Sequence, residues 1–257
     1  MVKYEKNGGD TMKNIRLRGA HNIRDLGGLP VKGGTVRSGM LLRGDHLNGV
    51  KDGDIKTLVE RCRLKTVIDL RIMQEKLELP NANISGVHFE EMPIFDDSLP
   101  GMSHESKQDI DNIPDLRDIY RHVMESEECL KNLAAVVRRI VTAADDDFAI
   151  FYHCTEGKDR TGIVTAMLLM LLGAERQTIY EDYLFTNTVN KKKAVGYFLL
   201  VRIFKHNPAA AKKVYNVFLA RKEYLDEVFK VVDGRGEAAF IRDVLRLSEA
   251  EIEAFRK

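Results

Sequence analysis

Cysteine is scarce in this chain of 257 residues: Cys62, Cys129 and Cys154 are odd in number and far apart. That spacing supports no disulfide framework, and neither Cys62 nor Cys129 has a neighbouring ligand at the interval a zinc site uses. A disulfide scaffold and a structural zinc are therefore excluded, and a reducing, cytoplasmic setting is expected. Net charge is almost missing as well, since 40 Lys and Arg face 39 Asp and Glu for a formal +1. No overall field draws the chain to nucleic acid or to a membrane surface, so any preference for an anion must be local. Long hydrophobic runs are absent too. The most apolar stretch, Ile163 to Leu172, is too short to cross a bilayer and reads as a buried helix. Met1 to Asp10 lack the apolar core of a signal peptide; residues 1–13 are expected to be a disordered tail before a single domain over 14–257. No repeat or low-complexity segment stands out.

What the chain does contain is alternation. Glycine pairs at 27–28 and 33–34 punctuate short β-type pieces between Asn22 and Gly44, which suggests a hairpin-like start. Ile55, Leu58 and Val59 have helical spacing, and Lys65 to Leu70 is β-branched and apolar, a strand. Arg71 and Glu75 are spaced to meet if the turn after that strand is helical, and Asp69 and Glu75 are expected to orient Arg71. Val87 to Ile94 reads as another strand, followed by a polar surface loop from Asp96 to Asp115. Ile119 to Ala144 carries an amphipathic helix, interrupted near Ser126, with Leu130, Leu133, Val136, Val137, Ile140 and Val141 facing inward. After the strand Phe148 to Tyr152 and an apolar helix from Thr161, everything is helical: 176–185, 193–205, 209–232 and 237–246, with breaks at Pro208 and Gly234. Ser248 and Glu251 have the spacing of a capping box for a last helix. The pattern is that of an α/β domain, a central and mostly parallel sheet flanked by helices.

The densest chemistry sits in Tyr152-His153-Cys154-Thr155-Glu156-Gly157-Lys158-Asp159-Arg160-Thr161-Gly162, at a strand-to-helix turn. Unpaired N–H groups and the positive end of the helix dipole make such a turn an anion site. A field that attracts phosphate also favours a thiolate over a thiol, which makes Cys154 the candidate nucleophile. Arg160 adds a planar fork able to hold two phosphate oxygens. A lone Cys after a strand is more often a packed core residue. Two glycines and two cations in the adjoining turn have no use there, and they do make sense around a bound phosphate.

His153 to Gly162 resembles the signature loop of cysteine-dependent protein tyrosine phosphatases: His-Cys, five residues, then Arg and Ser or Thr. Gly157-Lys158-Asp159-Arg160-Thr161-Gly162 is similar to the bacterial branch that includes secreted tyrosine and lipid phosphatases. Asn22 to Gly28, Leu42-Arg43-Gly44, Asp69-Leu70-Arg71 with Glu75, and Tyr224 to Leu247 also resemble that branch's landmarks, with Gly44 standing where a Ser is common. The resemblance implies a tyrosine-phosphatase-like fold and hydrolysis of phosphotyrosine or phosphoinositide through a phosphocysteine, with no metal or cofactor. Cys154 would attack, Arg160 and the loop N–H groups would hold the phosphoryl oxygens, and Thr155, Glu156, Gly157, Lys158, Thr161 and His153 would line or support that pocket.

Three places compete for the general acid: Asp159 in the loop, Asp96 or Asp97 after the third strand, and Asp69. Asp159 is favoured because it adjoins the phosphate in sequence and because the resembled branch places its acid there. Lys158 would supply a second charge for polyanionic phosphoinositides or would raise the loop potential for any phosphate. Lys191-Lys192-Lys193 and the apolar run Tyr197 to Phe204 would form a helical lid over about 188–220, against a plain reading as a packed helix with a basic end. A nucleotide-binding loop fails on spacing, since Tyr152 stands at the first glycine position and Asp159 follows Lys158. A rhodanese-like sulfurtransferase, or a phosphate-recognition module without turnover, are the remaining alternatives.

Overall fold

The computed structural model describes residues 13–95, 115–143 and 147–257. Asp96, Asp97, the rest of the polar stretch before Asp115, and residues 1–12 of the tail lie outside the described residues. Strands β1 (Lys13–Asn14) and β2 (Arg24–Asp25) lead to a small hairpin of β3 (Pro30–Val31) with β4 (Gly34–Thr35), and then to β5 (Leu41–Gly44). Helix α1 (Asp52–Lys56), prolonged by a wide π-type turn over Thr57–Arg61, precedes β6 (Leu64–Asp69); α2 (Met73–Glu78) precedes β7 (His88–Glu91). Next come α3 (Leu116–Glu125), α4 (Glu127–Thr142), β8 (Ala149–His153) and α5 (Asp159–Leu171). The chain closes with α6 (Arg176–Lys205), α7 (Pro208–Phe218), α8 (Lys222–Arg235), the short α9 (Glu237–Ala239) with a π-type turn over Phe240–Leu245, and α10 (Glu249–Phe255).

The main sheet runs β1-β2-β5-β8-β6-β7, parallel from β5 to β7 and antiparallel at the β1–β2 edge. Helices flank it, as the alternating pattern leads one to expect. Strand β8 is buried along its whole length, which its run Ala149-Ile150-Phe151-Tyr152 suits. Its last residue, His153, is level with Gly44 on one side and Asp69 on the other. Three parallel strands thus end at one height, and the segments after Gly44, Asp69 and His153 converge at the carboxyl edge of the sheet. Behind the loop that follows β8, all thirteen residues of α5 are buried, as an all-round apolar helix requires.

The α3–α4 break falls at Ser126, whose hydroxyl accepts from Cys129 N at 3.3 Å and caps α4. All six residues of the anticipated α4 stripe are buried. The capping box at Ser248 forms, with Ser248 N donating to Glu251 at 2.8 Å and Glu251 N donating to Ser248 Oγ at 3.3 Å.

The helical third is divided differently from its sequence pattern. Segments 176–185 and 193–205 are one continuous helix, while 209–232 is cut at Leu219–Arg221. Tertiary contacts explain both. Asn187 donates to Ala220 O and accepts from Ala220 N, each at 2.8 Å, and Asn190 donates to Phe218 O at 3.2 Å. Polar residues that argue for a break in α6 instead hold the non-helical link after α7.

Candidate active site

The loop after β8 owes its shape to groups that pull its carbonyls outward. Cys154 O lies 3.1 Å from His153 Nδ1, and Thr155 O accepts weakly from His46 N at 3.5 Å. Asn22 Nδ2 donates to Glu156 O at 2.9 Å and to Gly157 O at 3.2 Å, and Arg43 donates to Gly157 O at 2.9 Å. With the carbonyls so occupied, the peptide N–H groups face the other way. Among the described residues, no backbone carbonyl accepts from the N–H groups of Thr155 to Lys158. That is an anion-binding nest set on the N-terminus of α5. Gly157 is needed twice over, because its φ is +63° and an added Cβ would lie 2.3 Å from the backbone of Gly44.

Arg43 and Arg24 are themselves fixed by Asp182 of α6. Arg24 Nε donates to Asp182 at 2.8 Å, Arg43 forms a second ion pair with the same carboxylate, and Arg24 also donates to Asn22 Oδ1 at 2.9 Å. Burial alone would raise the Asp182 carboxyl, but the two guanidinium groups hold it below its ordinary range. The outer shell of the loop is therefore one buried polar network.

Arg160 projects from the first turn of α5 onto Glu75. Its two terminal nitrogens donate to the two carboxylate oxygens at 2.5 and 2.6 Å, a fork-to-fork pair. Glu75 also accepts from Thr155 Oγ1 at 2.5 Å and from Ile72 N at 3.1 Å. Against the cost of burial, Arg160 and then Thr155 bring the Glu75 carboxyl down to about 2. The Phe95 ring covers the guanidinium at 4.6 Å. Arg160 Nε and Thr161 Oγ1 are buried with no hydrogen-bond partner among the described residues. A buried N–H left unsatisfied is unfavourable, and Arg43 Nε in the outer shell is left so as well.

His153 is wholly buried, and burial pushes its pKa down to about 4 despite the nearby Asp69. It is therefore neutral at pH 7. Asn81 Nδ2 lies 3.2 Å from Nε2 and donates to Asp69 at 2.8 Å. Because Nε2 faces a donor, the ring proton belongs on Nδ1, where it is given to Cys154 O. Asp69 is further bound by Arg71 through Nε at 2.9 Å and a terminal nitrogen at 2.7 Å. Burial notwithstanding, His153 and Arg71 leave Asp69 at about 2, and this carboxylate holds no proton to give.

Asp159 accepts from the Tyr120 hydroxyl at 2.8 Å. Tyr120 and Tyr183 oxygens are 2.7 Å apart, so Tyr183 donates to Tyr120, which donates to Asp159. Burial, then the Asp159 charge, raises both phenols well above their ordinary range and keeps them as donors. Lys158 Nζ lies 3.4 Å from Asp159 Oδ1 and is turned to the carbonyls of Val217 and Leu219, 3.4 Å from the latter, at the C-terminus of α7. Glu156 pairs with Lys193 of α6 at 2.8 Å. Cys154 itself is 2% exposed. Neither other cysteine rivals it: burial pushes Cys62 up to about 11, and Cys129 is packed in the core.

The model of the tyrosine phosphatase family matches residues 15–257. The chain belongs to that family. A triple specificity protein phosphatase of Mycobacterium tuberculosis is 30% identical over 196 residues, 66% of this chain and 68% of that relative. A Cupriavidus necator protein whose name, tyrosine-protein phosphatase, is provisional is 28% identical over 234 residues, 90% of this chain and 84% of the relative. Among solved structures, P. aeruginosa TpbA is 14% identical, with 88% of this chain and 99% of that chain covered, at a TM-score of 0.39.

Cys154 directly follows β8, and Asp159 and Arg160 open α5, so the loop lies at a strand-to-helix junction. One expectation about its surroundings is corrected. Glu75 meets Arg160 and not Arg71, because Arg71 is saturated by Asp69 and by Leu79 O at 2.7 Å. Asn22 and Arg43 appear in the sequence as landmarks without roles, and Glu75 with a different partner; Asn81, Tyr120, Asp182 and Tyr183 are missed. A signal for the α6 residues exists. Asp182, Thr186 and Asn190 recur every four residues and are buried, a polar line where a helix packs inward.

Proposed function

We propose that this enzyme of the tyrosine phosphatase family hydrolyses phosphotyrosine and phosphoinositide monoesters in two steps through a phosphocysteine at Cys154. In the first step the Cys154 thiolate attacks phosphorus in line with the ester oxygen. The P–O bond breaks, and the leaving oxygen takes a proton from Asp159. Arg160 Nε, a buried donor with no described partner beside a loop whose carbonyls are turned away, is the observation that carries this reading. It supplies what phosphoryl transfer asks of a protein, fixed donors around the equatorial oxygens. In the second step water attacks the phosphocysteine, its proton goes to Asp159, and the thiolate leaves. Thr161 Oγ1, also buried and without a described partner, donates to the departing sulfur.

Substrate breadth rests on two supports. The M. tuberculosis relative is named a triple specificity phosphatase, and Lys158 adds a second cation to the loop. Its ammonium also ties the loop to the α6–α7 hairpin through Val217 and Leu219, while Lys193 does so through Glu156. That hairpin acts as the lid over the loop. Lys158→Ala should reduce phosphoinositide turnover more than turnover of a phosphotyrosine peptide, and equal losses would remove the argument for selectivity.

The direct test is turnover of a simple aryl phosphate in the presence of a chelator, extended to phosphotyrosine, phosphoserine and phosphoinositide substrates. Activity that survives the chelator and vanishes in Cys154→Ser supports the reading. A folded protein with no turnover, or one that moves sulfur from thiosulfate, overturns it.

A further inference from the structure

Hydrophobic residues exposed on this protein are not scattered. Among the described residues eight large ones are exposed, and five of them, Val195, Leu199, Leu200, Ile203 and Phe204, lie on the C-terminal half of α6. Val195, Leu199 and Ile203 follow one another at four-residue intervals, and Leu200 and Phe204 form the adjacent row. Phe204 is 77% exposed and Ile203 is 61% exposed, at the very end of the helix. The opposite face of the same segment is satisfied: Ala194 and Val201 pack with Ala210, Ala211, Val214 and Phe218 into a small core of their own. The stripe is therefore surplus to folding, and a contiguous exposed patch of this kind marks an interaction site.

Charge says what covers it. From Tyr183 to Lys222, forty residues, there is no Asp or Glu, whereas Lys191, Lys192, Lys193, Arg202, Lys205, Lys212, Lys213, Arg221 and Lys222 give nine cations. The whole chain is +1, so the remaining residues carry a net −8. Near-neutrality of the protein thus conceals a strongly basic segment. It is the segment that bears the apolar stripe. A second copy of this chain is a poor occupant, since the two faces would bring like charges together. A neutral apolar partner would leave the cations unused. Lys193, Arg221 and Lys222 pair with Glu156, Glu223 and Asp226 from outside the segment, and the remaining six keep it basic. An apolar helix face beside such a basic segment is the composition that lies on an anionic bilayer.

We propose that the α6–α7 hairpin docks this protein on an anionic lipid surface, with Val195, Leu199, Leu200, Ile203 and Phe204 entering the headgroup region and the surrounding Lys and Arg on its charges. The hairpin touches the phosphate loop from its other side, through Lys158 and through Lys193 with Glu156. Docking therefore sets the loop beside the membrane, where a phosphorylated headgroup or a juxtamembrane phosphotyrosine is presented.

The test is flotation of the full chain with vesicles of phosphatidylcholine, with and without phosphatidylserine. No substrate or turnover is involved, so its outcome is independent of whether the chain is a phosphatase. Binding to anionic vesicles at least about tenfold above neutral ones, weakened by salt, is expected. Leu199→Ser/Phe204→Ser should abolish it at both salt levels. Lys191→Glu/Lys192→Glu, on exposed polar positions that the fold does not need, should reduce it severalfold and guards against a loss due to misfolding. Equal binding to neutral and anionic vesicles, no binding by wild type, or a wild-type dimer that Leu199→Ser/Phe204→Ser makes monomeric, would each overturn the proposal.

Discussion

Glu75 holds Arg160 by both oxygens, at 2.5 and 2.6 Å, and leaves Arg160 Nε without a partner among the described residues. A carboxylate from the segment after β6 thereby aims a guanidinium from α5. The pair is buried, so its charges cannot be traded for water. Glu75→Gln keeps the size of the side chain but removes the charge, and breaking a buried pair by removing one partner destabilises by roughly 3–5 kcal/mol. The expected result is a lower Tm and a kcat reduced at least about tenfold, because the fork is no longer held at the transition-state oxygens. Steady-state kinetics beside thermal unfolding check it; a Glu75→Gln enzyme with unchanged kcat would show that Arg160 positions itself.

Asp159 receives a proton chain from Tyr183 through Tyr120. If it is the general acid, its loss should matter most for poor leaving groups. Asp159→Asn is expected to lower kcat/KM, which reports the first step, by about 10²-fold or more for phenyl phosphate while sparing that of an aryl ester with an electron-withdrawing ring. Tyr120→Phe should show the same leaving-group trend at smaller size. A uniform loss across leaving groups would remove Asp159 from this role.

Acid should weaken the fold in two stages. His153 has its folded-state pKa depressed to about 4 from 6.5, so the unfolded chain binds this proton more readily and stability is lost as pH falls from about 6.5 toward 4. The size of that loss is roughly 3 kcal/mol. Asp69 and Glu75, both held near 2, contribute stability above their ordinary range that is lost only as pH falls further toward 2. Urea unfolding midpoints measured from pH 7 to 4 should decline in wild type and stay nearly level in His153→Gln.

Asn187 clamps Ala220 from both sides of its backbone. Asn187→Ala leaves one buried donor and one acceptor unmet, worth about 1–3 kcal/mol each. Faster hydrogen exchange over residues 208–221 is expected, with little change in the strands. Protection unaltered there would mean that the α7–α8 link is held by packing alone.

The candidate loop stands out in the sequence because its chemistry is packed into ten consecutive residues, and the sheet because β-branched runs alternate with helical spacing. What could not be read lies across long gaps in sequence. Glu75 is 85 residues from Arg160, and Tyr120 is 39 from Asp159. Arg71 was the nearer partner for Glu75 on a helical count, and only the fold shows that Asp69 takes it first. In α6 the polar residues Asn187 and Asn190 mimic an interruption, since propensity counts local preference and is blind to the carbonyls they bind on the far side of the hairpin.

The central claim is that Cys154 carries the phosphoryl group between substrate and water. Acid quench of the enzyme during turnover of an aryl phosphate, followed by peptide mass spectrometry, tests it directly. One phosphoryl group on the peptide containing Cys154, absent in Cys154→Ser and accumulating in Asp159→Asn when the ester carries an electron-withdrawing ring, so that only the second step is slowed, is the result this account requires. Turnover that persists in Cys154→Ser, or a phosphoryl group trapped on any other side chain, would contradict it.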